Sequence, residues 1–313
     1  MKPVKDIRDA NTVNDLIKQF SDAGGFTATK LADATDVMER AHNEGCMAFL
    51  SFPAAIVATG TRGVLRDLVK HKLVDAIITT CGTLDHDLAR LWEDYYHGSF
   101  DADDAALHRE GINRLGNVFV PNDSYGIVLE QKLQPIFKRL YEGGVRDFST
   151  RELIAHVGKA IKNETKADES VIYWAWRNNI PVFVPGPTDG AFGYQLWLFW
   201  QDGHKDFNVN VMKDESELDA LVNAAKKTAA LMVGGGISKH HTIWWNQFRG
   251  GLDYAVQITS APEWDGSLSG ARTREAVSWG KIKADARHVT VEGDATVLLP
   301  LMVTSLKQRL NIK

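Results

Sequence analysis

Apolar positions fall along this chain in short continuous runs rather than in clean alternation. The runs "CMAFLSF" (46–52), "VDAIITT" (74–80), "IPVFVPG" (180–186), "AALMVGGG" (229–236), "DYAVQITS" (253–260) and "HVTVEGDA" (288–295) all end in or lead to small or polar residues. Runs of this length without a polar face predict strands covered on both sides. Between most of them apolar residues recur at helical spacing. "TRGVLRDLVKHKL" (61–73) shows this, and so does "ESELDALVNAAKKTAA" (215–230), whose early acids and later lysines complement a helix dipole. "STRELIAHVGKAI" (149–161) opens on Ser149 with Glu152 three residues on, the signature of a capping box. "GINRLGNVFVPNDSYG" (111–126) reads as a loop with a short apolar centre. Strand, loop and helix in repetition predict an α/β fold: a doubly wound, mostly parallel, Rossmann-like sheet with helices on both faces. No repeat or low-complexity linker divides the chain, so 1–313 reads as a single domain with an N-terminal helical extension over about 1–40.

Composition narrows the classes. A formal charge of -4 without a long basic run does not point to nucleic acid. Two cysteines, Cys46 and Cys81, make neither a disulfide framework nor a cysteine-rich zinc site, which fits a reducing, cytoplasmic setting. The polar N-terminus has no apolar leader, and no stretch has the length of a membrane span. Nine tryptophans are many for this length, and predict a large core or a substantial subunit interface.

In a doubly wound fold ligands sit outside the C-terminal ends of the strands. Those ends here carry Thr79, Thr80, Gly82, Asp189, Gly234, Gly235, Gly236, Ser260, Asp265 and Asp294. Such residues are also turn formers, but six strand ends of this kind together predict a ligand crevice. "GGGISKHH" (234–241) suits close approach of a phosphate or dinucleotide, although it is not G-x-G-x-x-G. His240 and His241 are adjacent, so they do not share a helix face as zinc ligands would, and no metal is expected. One histidine in the crevice suits proton transfer. "LDHDLAR" (84–90) sets Asp85, His86 and Asp87 just after a strand end, where acids serve either a helix N-terminus or a ligand. Lys281, in "EAVSWGKIKADAR" (275–287), reads on its own as a surface charge. A nucleophilic lysine must be neutral, which takes burial or a neighbouring cation; Trp279 offers an apolar wall and Glu275 a partner for a cationic substrate.

Taken in order, "GINRLGN" (111–117), "VPND" (120–123), "PVFVPGPTDG" (181–190), "GGGISKHH", "DYAV" (253–256), "DGSLSGAR" (265–272) and "EAVSWGKI" (275–282) resemble segments of the deoxyhypusine synthase family. The resemblance spans nearly the whole chain and implies NAD-dependent transfer of an aminobutyl group from spermidine to a lysine of initiation factor 5A. In that family the active-site lysine carries the group as an imine, a role that falls here on Lys281. His240 matches the histidine that contacts the substrate amine. Glu275, Trp279, Asp85, His86, Tyr194, Gly266 and Ser267 fall along the amine site. Thr79, Thr80, Cys81, Asp189, Gly235, Ser260, Ala261, Asp265, Asp294 and Ala295 fall where the family binds NAD. The resemblance also implies a homotetramer with active sites at dimer interfaces.

The chain departs from the eukaryotic pattern at His86, Tyr194 and Leu268, where carboxylates are expected, and "AAIVA" (54–58) replaces a Ser-Asn-rich NAD loop. A buried cation needs an anionic or aromatic partner, and Glu275, Asp85, Trp279 and Tyr194 are the candidates. Two further readings stand beside the first: homospermidine synthase-like transfer to a small amine, and a catalytically degenerate NAD-binding homologue. The retained "SWGK" weighs against the degenerate reading.

Overall fold

The segments expected to be strands meet in a mostly parallel sheet. In the computed structural model, which describes residues 1–312, these are β1 (Met47–Phe52), β2 (Ala76–Thr79), β3 (Thr228–Val233), β4 (Leu252–Thr259) and β5 (Ile282–Glu292). They lie in the order β5-β4-β3-β1-β2. The β1–β3, β3–β4 and β4–β5 pairs are parallel. From β1 the chain steps to β2 on one side and later adds β3, β4 and β5 on the other, which is the doubly wound class. Every residue of β3 is buried, as expected of a strand covered on both faces.

Two compact units of interleaved segments make up the chain. The first comprises Met1–Phe52, His71–Ile78 and Glu217 onward; the second comprises Pro53–Lys70 and Thr79–Ser216. In the first, the helices Phe26–Asn43, Gly236–Gln247 and Ala295–Arg309 pack on the strands. Its N-terminal helix is Val13–Asp22, capped by Thr12, whose side chain accepts from the Asp15 amide at 3.0 Å. Residues 1–12 hold no regular element, so the helical N-terminal stretch begins later than its expected start.

The second unit is mainly helical, with Arg62–Lys70, Cys81–Trp92, Val128–Glu142, Thr150–Ala160, Val171–Asn178 and Ala191–Gln201. The capping box forms as expected: Ser149 Oγ accepts from Glu152 N at 3.0 Å, and Glu152 Oε2 accepts from Ser149 N at 2.8 Å.

Three expectations are corrected. Residues 111–126 are not a plain loop: Ile112–Leu115 and Val118–Pro121 form an antiparallel hairpin, its tight connection made at Gly116, whose φ is 61°. The run 180–186 does form a strand, the sixth of the sheet, but it shortens to Val182–Phe183, because Pro181 and Pro185 bracket it and neither can donate to a ladder. The helix read over 215–230 is Val211–Ala224. Lys226 and Lys227 lie beyond it, and Lys227 pairs instead with Glu44 at 2.6 Å. Its last alanines belong to β3, where two parallel partners override helix propensity.

The tryptophans are not the core. None of the nine is fully buried, and Trp197, Trp244, Trp264 and Trp279 are exposed. Among the described residues no helix is long and apolar enough to cross a membrane.

Candidate active site

Lys281 owes its position to a helix stop. The short helix Thr273–Ser278 ends at Trp279, and Gly280 follows with φ 67°, a conformation that a side chain would strain. Gly280 N donates to Val277 O and Lys281 N to Ala276 O, each at 3.0 Å, which is the paired bonding of a Schellman motif. Lys281 O then accepts from Leu252 N at 3.1 Å as β5 begins. Trp-Gly-Lys is therefore a terminator whose lysine is locked where helix hands over to strand. Downstream the β4–β5 register shifts between Leu252 and Tyr254, so the two backbones part just beyond this point.

The lysine is not a surface charge. It is only 7% exposed. Its Nζ stands 3.5 Å from His240 Nε2, 5.2 Å from the centroid of the Trp279 ring and 5.6 Å from that of Trp244. His240 and Trp244 are one turn apart on the helix Gly236–Gln247, their rings stacked at 5.7 Å and 25°. Burial first, then the charge of Lys281, holds His240 below the ordinary histidine pKa. A neutral imidazole beside an amine under two indoles can exchange a proton with it while attracting a cationic ligand. His241 faces elsewhere and accepts from Trp245 Nε1 at 3.2 Å.

The same unit carries most of the expected cofactor residues. Strand order reverses between β1 and β3, so their C-terminal ends form the topological switch point. Ser51 Oγ, near the end of β1, is buried without a hydrogen-bond partner among the described residues. Gly234, Gly235 and Gly236 follow β3. A Cβ at Gly236 would meet nothing within 4 Å, so the helix N-terminus it opens is accessible to a ligand. Ser260 and Ala261 follow β4, and Ser260 is exposed. After β5, Asp294 caps the helix Ala295–Arg309, accepting from Thr296 N at 2.8 Å and Thr296 Oγ1 at 2.9 Å. Asp265 is exposed, and Ser267, whose amide donates to Oδ1 at 2.7 Å, pulls its carboxyl below the usual range. Gly266 continues that turn with Ser267. Glu275 lies exposed on the helix Thr273–Ser278.

The second unit holds a separate polar cluster. Asp85 and Asp87 lie inside the helix Cys81–Trp92, not at its start, and each serves the N-terminus of a different helix. Asp85 accepts from Ala191 N at 2.9 Å, Phe192 N at 2.7 Å and Tyr125 OH at 2.8 Å. Burial raises its carboxyl, against the pull of these three donors. Asp87 accepts from Val171 N and Ile172 N at 3.0 Å, Ser170 Oγ at 2.6 Å and Arg62 Nε at 2.7 Å. His86 Nδ1 meets Tyr95 OH at 2.9 Å, and burial pushes its imidazole down to about 4, so it is neutral at physiological pH.

Cys81 is sealed in, its Sγ donating to Pro187 O at 3.1 Å, and burial pushes its thiol up to about 12, which makes it inert. Thr79 Oγ1 meets Thr83 Oγ1 at 2.7 Å, and Thr80 Oγ1 accepts from Ala54 N at 3.1 Å. Asp189 is exposed, and Tyr194 is exposed beside Trp197.

Sequence reasoning missed Trp244 and Tyr125. The i,i+4 spacing from His240 on an expected helix was a usable signal for Trp244. Tyr125 carried none, since its partner Asp85 is forty residues away.

The family model for deoxyhypusine synthase matches residues 15–306. A probable deoxyhypusine synthase of Picrophilus torridus is 54% identical over 304 residues, covering 96% of each chain. One from Thermoplasma acidophilum is 53% identical over 304 residues, again covering 96% of each. Among solved structures, a putative deoxyhypusine synthase from Entamoeba histolytica superposes with a TM-score of 0.64 at 20% identity, over 93% of this chain and 91% of that one, a likeness of fold.

Proposed function

Since the chain belongs to the deoxyhypusine synthase family, a family of transferases, we propose that it moves the aminobutyl group of spermidine onto one lysine of initiation factor 5A, with NAD as cofactor. The observation that carries this reading is Lys281 itself: buried, fixed by a helix stop, under two indoles and 3.5 Å from an imidazole nitrogen.

The residues of the first unit fit a dinucleotide. The open N-terminus at Gly236, the orphaned Ser51 Oγ and the small residues Ser260 and Ala261 are at the C-terminal ends of β1, β3 and β4. Asp265, in the loop after β4, and Asp294 and Ala295, after β5, belong to the same proposed set, with Gly235 shaping the loop. The chemistry NAD supplies when bound is removal of a hydride from the donor amine and its return to the final imine.

This chain's residues do the rest. His240 Nε2 takes a proton from the Lys281 ammonium, freeing the nitrogen lone pair. Lys281 Nζ bonds to the imine carbon of the oxidised donor, and the C–N bond to the small diamine breaks as that amine leaves with a proton. The acceptor lysine repeats the exchange, releasing Lys281 unchanged. Trp244 and Trp279 draw in the cationic amine and limit water around the imine. Glu275, Gly266 and Ser267, in the unit that carries Lys281, remain proposed amine-site residues, and a cytoplasmic homotetramer would give the exposed tryptophans an interface.

The test is incubation with NAD, labelled spermidine and the cognate factor 5A, with Lys281→Arg as control. Labelled factor, abolished in the variant, is the expected result. Borohydride with spermidine and NAD should place one aminobutyl adduct on Lys281. Label only in a small polyamine would replace the protein acceptor with an amine, and an adduct on another residue would reject Lys281 as carrier.

A further inference from the structure

A turn over residues 266–271 is gripped from several sides. Lys239, 2% exposed, turns away from solvent, and its Nζ donates to Leu268 O at 2.7 Å and Ala271 O at 2.5 Å. Gln257, fully buried on β4, donates through Nε2 to Ser269 O at 3.1 Å and Gly234 O at 3.3 Å. Thr259 Oγ1 donates to the same Ser269 carbonyl at 2.9 Å. Gly235 closes the contact, for a Cβ there would stand 2.2 Å from Ser269 Cα. Within the turn, Gly270 N and Ala271 N both donate to Ser267 O, at 3.1 and 3.0 Å.

The choice of lysine at 239 is informative. Burial holds its ammonium down to about 8; the charge of Glu275 opposes this, while Arg272 and Lys281 add to it. An ammonium so placed is unfavourable unless its hydrogen bonds matter, since an apolar chain of similar length would pack there without the desolvation cost. The next residue on the same helix is His240, which faces Lys281. One rigid turn of helix thus holds a loop with one residue and addresses the amine with the next.

We infer that Lys239 is a positioning residue, whose two carbonyl bonds fix the 266–271 turn and, through the helix Gly236–Gln247, the placement of His240 against Lys281. Gln257 is its counterpart on the sheet side of the turn. The inference rests on the proposed role of Lys281 for its kinetic consequence, but not for the clamp itself.

Two readouts on Lys239→Met, Gln257→Leu and the double variant test it. Hydrogen exchange on the ligand-free protein should show the Gly270 and Ala271 amides exchanging at least about tenfold faster in each single variant, or about 1.4 kcal/mol of lost protection. Single-turnover trapping of Lys281 by borohydride should slow about tenfold in each, with the double variant less than the product of the two. Unchanged exchange overturns the clamp. Faster exchange with unchanged trapping overturns the positioning role. Should the unsubstituted protein trap nothing, the reading of Lys281 fails, and exchange alone decides the clamp. A Lys239→Met chain that does not fold leaves Gln257→Leu to decide both.

Discussion

Asp85 is the residue on which a ligand role and a structural role make opposite predictions. Its carboxylate accepts three buried donors, two of them the first amides of the helix Ala191–Gln201. In Asp85→Ala those amides and Tyr125 OH lose their acceptor together. A buried donor left unpaired costs about 1–3 kcal/mol, and water entering the small void holds each near the low end, so the sum is about 3 kcal/mol. At about 2 °C per kcal/mol for a chain of this size, the melting temperature should fall by about 6 °C. Asp85→Asn keeps one acceptor but turns an amino group toward a donor, so about half that loss is expected. The assay is thermal melting followed by tryptophan fluorescence, with exchange of the Ala191 and Phe192 amides as the local check. The reasoning fails if Asp85→Ala melts within about 1 °C of the parent while losing amine binding, because Asp85 would then serve the ligand and not the helix.

The neutral imidazole of His86 makes a pH prediction. Its folded pKa, about 4, lies below the unfolded 6.5. The unfolded chain therefore binds more protons in that window, and stability is full above pH 6.5 and lost as pH falls toward 4, by up to about 3 kcal/mol. In His86→Gln the acid limb of the melting curve should flatten; an unchanged limb would show that His86 does not drive it. Gly235→Ala puts a methyl 2.2 Å from Ser269 Cα, and since the obstacle is backbone the turn must move. Exchange in 266–271 should accelerate as in Lys239→Met, and a variant with parental exchange would mean that the contact is looser than it stands here.

Much of the architecture was legible because it rests on local pattern. The central runs read as buried strands are β1, β2, β3 and β4, and the Ser149 capping box formed at the stated residues. Misreadings occurred where a neighbour in space outvoted the local pattern. β5 begins six residues before the apolar run, because its polar first half is recruited by β4. Asp85 and Asp87 do serve helix N-termini, but of helices that start about a hundred residues later for Asp85 and about eighty for Asp87.

Lys281 shows the same division at the site. The order of its motifs determined the family, and the Trp-Gly-Lys string contained the αL glycine that a helix stop requires. From the sequence alone the lysine still looked like a surface charge, since composition says nothing about what lies across from a side chain. Tertiary structure decided that it is buried, which ring nitrogen it faces and which indoles flank it. It also decided that Lys239, one residue before His240, points the other way into carbonyl oxygens. Local strings encode backbone conformation through sterics and hydrogen-bond spacing. The solvation and partners of a charge depend on contacts between segments far apart in the chain, and these exist only once it has folded.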